Sequence, residues 1–148
     1  MTNDAPPGIK AINTAYIVDV YILTVLLPFA AITIEAIENR GRISTDVIEK
    51  WFVLFAVGIR FLRIGIRQAI RVKLRKEHGL ASLSFGMVAV VSFFIPSWRI
   101  VCVFGSGLYY GSAAFSCFLK KSTSSNETFT KISNLCIFLI LLIFLLVI

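Results

Sequence analysis

WFVLFAVGIRFLRIGIRQAIR, residues 51–71, places a row of arginines inside a hydrophobic segment. Arg60, Arg63, Arg67 and Arg71 follow one another at intervals of three, four and four residues. On a helix that turns by about 100° per residue they form one narrow stripe. An arginine in hydrocarbon costs about 2.5 kcal/mol or more, so it has to face protein, water or lipid headgroups. The segment therefore predicts a membrane helix with one cationic face.

The composition extends this prediction to the whole chain. Its 148 residues are 57% hydrophobic, whereas soluble domains contain about 45–50% apolar residues. The apolar residues form blocks that approach the roughly 20 residues needed to cross a bilayer. We predict an all-α, polytopic membrane bundle, with a flexible polar arm at 1–13 and a single transmembrane domain at 14–148. The predicted spans are about 15–37, 47–71, 80–95, 100–119 and 132–148.

Several residues mark the ends and irregularities of these helices. Pro28 predicts a kink within the first span, and the sequence PSWR at 96–99 predicts a tight hairpin between the third and fourth. Asp46, with an acidic residue three positions later, predicts the N-cap of the second span. Gly107 and Gly111 form a GxxxG pattern, which predicts close helix packing.

The basic residues predict the orientation. The net charge of +7 would suggest nucleic acid in a soluble protein, but here we interpret it as a topology signal and predict no nucleic-acid partner. Eight lysines and arginines flank one side of the predicted spans, at positions 10, 71, 73, 75, 76, 120, 121 and 131, against three on the other, at 40, 42 and 99. The positive-inside rule then predicts a bacterial inner-membrane protein with a cytoplasmic N-terminus and an external C-terminus.

The sequence offers little for catalysis. The three cysteines lack paired spacing, and His78 is the only histidine. These residues predict no disulfide framework, no metal site, no cofactor and no catalytic triad. We therefore expect a protein that is not an enzyme.

The polar residues of the spans predict one binding site in the cytoplasmic half of the bilayer. Trp51 marks the outer interface, and Arg60 lies nine residues deeper, which is about 13 Å along a helix. Asp19 is the natural partner of Arg63 or Arg67. The complete predicted set is Arg60, Arg63, Arg67, Gln68, Asp19, Glu77 and Asn134.

Three interpretations of this set remain open. In the first, the arginines pair with acids and fix the register of the bundle. In the second, they hold an anionic lipid headgroup or partner group, because guanidinium suits phosphate. In the third, they move charge, as in a voltage sensor or in an ion or proton conduit, either monomeric or oligomeric. The sequence favours a binding or assembly module that contacts membrane lipids, with a homo-oligomer or accessory subunit of a larger membrane complex as further alternatives.

Four segments resemble a family of small bacterial integral-membrane proteins that is known only as a domain of unknown function. They are FAVGIRFLRIGIRQ at 55–68, EHGLA at 77–81 followed by Gly86, GLYYG at 107–111, and NE at 126–127 followed by SNL at 133–135. The resemblance extends from residue 52 to the C-terminus. It implies a five-helix bundle with this polar cluster, and it brings no known reaction. The family's Asn and Asp are Ser82 and Asn134 here, and its histidine after the fourth helix and its loop after the Gln68 region are absent.

Overall fold

The computed structural model describes residues 14–71, 76–119 and 125–147. These residues form five helices, and the described ranges contain no β-strand. The all-α prediction is confirmed. The flexible arm predicted at 1–13 lies outside the described residues.

The five helices follow the predicted apolar blocks. Helix α1 is Thr14–Glu38. Helix α2 runs from 45 to 71 through the segments Thr45–Phe52, Val53–Ile59 and Arg60–Arg71. Helix α3 is Lys76–Phe94, α4 is Arg99–Leu119 and α5 is Ser125–Val147. The predicted hairpin between α3 and α4 is present, since Ile95 is extended and Pro96–Trp98 forms one 3₁₀ turn.

Two details of the helix starts differ from the prediction. Helix α5 begins seven residues earlier than expected, because Glu127 in its first turn complements the helix dipole and the polar residues there extend the helix. The N-cap of α2 is Ser44 rather than Asp46. Ser44 has an extended backbone, and its hydroxyl accepts a hydrogen bond from the Val47 amide at 3.4 Å. Asp46 is thereby free to pair with a residue on another helix.

The proline in α1 is accommodated by a wider helical turn. Ile22–Leu26 is π-helical and lies directly before the segment that contains Pro28. A proline lacks an amide hydrogen and its ring crowds the carbonyl four residues earlier, and a wide turn relieves both problems. A second π-helical segment, Val53–Ile59, lies in α2 beside the first one.

Glycines bring α2 and α3 into backbone contact. A Cβ at Gly65 would lie 2.6 Å from Leu83 Cγ and 2.8 Å from the carbonyl oxygen of Gly79. A Cβ at Gly86 would lie 2.8 Å from the amide nitrogen of Leu62. These distances are well inside van der Waals contact, so both positions require glycine. We call this surface the α2–α3 glycine seam, formed by Gly58, Gly65, Gly79 and Gly86.

The core lies among α2, α3, α4 and α5, and α1 packs on its outside. The buried cluster comprises Phe52, Val53, Ala56, Val57 and Phe61 of α2, Ala89 of α3, Cys102, Val103 and Tyr110 of α4, and Ile137, Leu141 and Phe144 of α5. Large apolar side chains also cover the exterior, among them Phe29, Ile70, Phe94, Phe115 and Leu146. The molecule is therefore apolar on both its inside and its outside.

Two described helices, Thr14–Glu38 and Glu127–Val147, are long and apolar enough to cross a membrane. Only 17% and 22% of their most apolar windows are buried within the bundle. Helix α2 does not meet this standard, because the arginine stripe raises its charge. The five-helix bundle is thus confirmed, whereas five membrane spans remain a prediction.

Candidate functional site

Arg60 is the buried centre of the arginine stripe. It begins the regular α-helical segment after the π-helical turn of α2, and only 6% of its surface is exposed. Its Nη2 atom donates a hydrogen bond to Oδ1 of Asn134 at 3.5 Å, and its guanidinium lies 5.4 Å from the centre of the Tyr110 ring. The Tyr110 hydroxyl in turn donates to the Ala56 carbonyl at 3.1 Å. The amide and the aromatic face partly compensate the buried charge.

One nitrogen of Arg60 remains without a partner. Its Nη1 atom is buried and forms no hydrogen bond with a residue that the structure describes. Leaving a charged donor unpaired in the interior costs more than a typical neutral hydrogen bond contributes. Arg60 Nη1 is therefore an unsatisfied charged donor at the centre of the stripe.

The next two arginines lie progressively nearer the surface. Arg63 forms an ion pair with Asp19 of α1, through its Nη1 atom and Oδ1 of the carboxylate. Arg67, one turn further on, is exposed and forms no ion pair with a described residue. The stripe thus passes from a buried arginine, through a paired one, to an open one.

These side chains line a narrow cleft between α1 and α2. Its volume is about 40 Å³, and its walls comprise Tyr16, Asp19, Val20, Leu23, Arg60, Arg63, Ile64 and Arg67. We call this feature the arginine cleft. Its lining contains three guanidinium groups and one carboxylate, so its walls carry excess positive charge.

The remaining predicted residues have different positions. Asn134 reaches the arginine cleft from α5 by its contact with Arg60. Gln68 instead lines a separate cavity of about 360 Å³ with Phe61, Ala81, Ser82, Phe85 and Tyr109, where its buried Oε1 has no hydrogen-bond partner among the described residues. The side chain of Glu77 lies outside the described residues.

The two glycines predicted to pack are not equivalent. A Cβ at Gly111 would lie 2.9 Å from the ring of Phe138, so this position contacts α5 closely. A Cβ at Gly107 would meet no atom within 4 Å, and this glycine borders a shallow apolar groove between α4 and α5. The close backbone approach occurs at the α2–α3 glycine seam instead. In the sequence, the only indication of this seam is that its glycines lie seven residues apart on each helix, at 58 and 65 and at 79 and 86.

A second polar cluster lies near the other end of α2, where sequence reasoning placed no site. Arg99 at the start of α4 is buried, with 4% of its surface exposed, and forms an ion pair with Asp46. Glu49, one helical turn after Asp46, is also buried, with 5% exposed. The three residues line a cavity of about 320 Å³ together with Thr45, Pro96, Ile100 and Val147. We call it the Glu49 cavity. The sequence showed acids on two successive turns at the start of α2 and, separately, an arginine at the α3–α4 hairpin, but nothing that connects them.

An apolar layer separates the Glu49 cavity from the arginine cleft. Between Glu49 and Arg60, α2 buries Phe52, Val53, Ala56 and Val57, all of which belong to the core cluster. A packed apolar layer disfavours water between the two polar clusters, and it counts against a continuous ion path.

The surroundings of these clusters give no sign of a metal centre. Within the described ranges, no three His, Cys, Asp or Glu side chains are grouped so that they could hold a metal ion. Cys102 and Cys136 are both free thiols.

No family model matches the chain, and no curated protein or solved structure is significantly similar to it. The resemblance to the small integral-membrane family therefore stays a prediction, and the function has to be argued from the geometry.

Proposed function

We propose that the chain is a multi-pass membrane protein whose arginine cleft binds the phosphate of an anionic lipid. Its activity is binding rather than catalysis. The proposal includes all five helices as spans, in a bacterial inner membrane, with the N-terminus and the arginine cleft toward the cytoplasm. The excess of basic residues flanking that side supports this orientation.

The apolar exterior supports placement in a bilayer. Exposed large apolar side chains occur on every one of the five described helices. Soluble monomers rarely expose contiguous apolar patches of more than a few hundred Å². Lipid would cover these side chains while the charged residues of α2 face the bundle and the cleft.

The unpaired Nη1 of the buried Arg60 is the observation that carries the proposed ligand. A phosphate oxygen supplies the missing acceptor, and guanidinium groups bind phosphate with good geometry. The volume of about 40 Å³ suits phosphate oxygens and not a whole headgroup. Arg67 at the exposed end would hold the remaining charge, and Asp19 would hold Arg63 in position.

Lipid binding to the purified protein tests this function. Native mass spectrometry would compare phosphatidylglycerol with phosphatidylcholine of the same acyl chains. We expect phosphatidylglycerol to bind preferentially, and Arg67→Gln to weaken its binding about tenfold, since a hydrogen bond to a charged group contributes about 1.5–3 kcal/mol.

Arg42→Gln is the matched control, because Arg42 is an exposed arginine in the turn between α1 and α2. It should leave phosphatidylglycerol binding unchanged. Equal binding of the two lipids to the wild type, or equal effects of the two substitutions, would contradict the proposal.

The sequence left open an ion or proton conduit as an alternative function, and the apolar layer between Glu49 and Arg60 argues against it. Conductance across liposomes that contain the protein tests this directly. We expect no conductance above that of empty liposomes, for the wild type and for Arg63→Ala alike.

A further inference from the structure

Two charged residues that line the Glu49 cavity each have a buried polar atom without a hydrogen-bond partner among the described residues. The Oε1 atom of Glu49 is buried and accepts no hydrogen bond from a described residue, and the Nε atom of Arg99 is buried and donates none. Both residues are more than nine-tenths buried and both line the cavity. The residues that carry this buried acceptor and this buried donor therefore line one cavity, which has a volume typical of small-molecule sites.

The charge of the lining selects the kind of ligand. Asp46 and Glu49 contribute two carboxylates, whereas Arg99 contributes one guanidinium. The excess negative charge favours a cationic group and disfavours a purely anionic one. The unpaired Arg99 nitrogen nevertheless requires an acceptor, which a phosphate oxygen supplies well. A ligand that carries an ammonium and a phosphodiester a few bonds apart satisfies both conditions.

The position of the cavity relates it to the bilayer surface. It lies beside the hairpin between α3 and α4, at the start of α2 and near the end of α5. Ile100 and Val147 add apolar surface to its lining. In the proposed orientation this is the outer interface, where lipid headgroups meet acyl chains.

We propose that the Glu49 cavity binds a phosphoethanolamine group, with its ammonium at Glu49 and its phosphodiester at Arg99. This inference rests on the membrane placement given in the proposed function. It does not depend on the arginine cleft, which lies beyond the apolar layer and prefers the opposite charge.

Methylation of the headgroup provides the sharpest test. Phosphatidylcholine has the same phosphate and net charge as phosphatidylethanolamine, but its ammonium has no N–H to donate to Glu49. Native mass spectrometry of the purified full chain would compare the two lipids with identical acyl chains. We expect phosphatidylethanolamine to bind about tenfold more tightly, as one hydrogen bond between charged groups provides.

Glu49→Gln should reduce this preference, because the amide oxygen accepts a hydrogen bond from the ammonium more weakly than the charged carboxylate does. Glu38→Gln is the matched control, since Glu38 is an exposed acid at the end of α1, and it should keep the preference. Asp46→Asn offers a second variant at an exposed position, should Glu49→Gln fail to fold, and it should reduce the preference. Equal binding of both lipids to the wild type, or an undiminished preference in Glu49→Gln or in the folded Asp46→Asn variant, would overturn the proposal.

Two further measurements distinguish binding of the headgroup from binding of the whole lipid, and the Glu49 cavity from the arginine cleft. Displacement of phosphatidylethanolamine by water-soluble glycerophosphoethanolamine would assign recognition to the headgroup alone, whereas retention would assign it to the anchored lipid. Phosphatidylglycerol binding is measured in the same samples. If the wild type shows no phosphatidylethanolamine preference but keeps its phosphatidylglycerol selectivity, this inference is rejected and the proposed arginine-cleft function is unaffected.

Discussion

Replacing Gly65 with alanine tests whether the α2–α3 glycine seam holds the bundle together. The added Cβ would lie 2.6 Å from Leu83 Cγ and 2.8 Å from both the Leu83 amide nitrogen and the Gly79 carbonyl oxygen. Favourable contacts between carbon atoms lie at about 3.5–4.0 Å, so α2 and α3 would have to separate locally by about 1 Å. Two of the three atoms belong to the backbone and cannot rotate away.

The expected loss follows from these distances. Overpacking costs about 1–3 kcal/mol, and the backbone contacts place Gly65→Ala at the upper end of that range. Alanine recovers up to about 1 kcal/mol of helix propensity. The net destabilisation of about 2 kcal/mol corresponds to a fall of about 4–8 °C in the melting temperature.

Thermal unfolding in detergent, followed by circular dichroism, measures this change. Gly107→Ala is the matched control, because a Cβ there meets no atom within 4 Å. It gains the same helix propensity without the clash, so its melting temperature should equal or exceed that of the wild type. Equal melting temperatures for the two variants would refute the reasoning, since only the packing environment distinguishes the two glycines.

Two further substitutions address the surroundings of the arginine cleft. Tyr110→Phe removes the hydroxyl that donates to the Ala56 carbonyl at 3.1 Å, and it should cost about 1 kcal/mol, or about 2–4 °C in the melting temperature. A melting temperature at or above that of the wild type would show that this buried bond contributes no stability. Asp19→Asn breaks the partly exposed ion pair with Arg63, and it should lower the free energy of unfolding by about 1 kcal/mol or less. The same substitution removes the carboxylate that holds Arg63 in position, so native mass spectrometry should show weaker phosphatidylglycerol binding, and unchanged or stronger binding would contradict this role of Asp19.

Depth and charge limited the partner of Asp19 to Arg63 or Arg67 at the sequence level. Asp19 was the acid at the matching depth of the first span, and the structure pairs it with Arg63. The role of Asn134 was also accessible, since it is a polar residue in an otherwise apolar part of α5. By contrast, Gln68 was grouped with the arginines by its position in the sequence, and it faces another cavity.

The Glu49 cavity was not predicted because its members come from distant parts of the chain. Asp46 and Arg99 are 53 residues apart in the sequence. Their meeting depends on how the α3–α4 hairpin packs beside the start of α2, which no local pattern encodes. Sequence reasoning interpreted Arg99 as an orientation signal and the two acids as a helix start.

The helices and their approximate limits follow from local properties of the sequence. The apolar blocks, Pro96 and the arginine spacing each determine structure through residues that lie close together in the chain. The identity of the packed faces required the folded chain. Gly65 and Gly107 are both glycines within apolar helices, and the sequence pattern favoured Gly107. Of these two, only Gly65 lies against the backbone of another helix. Which glycine does so depends on which helices lie side by side, and long-range packing determines that.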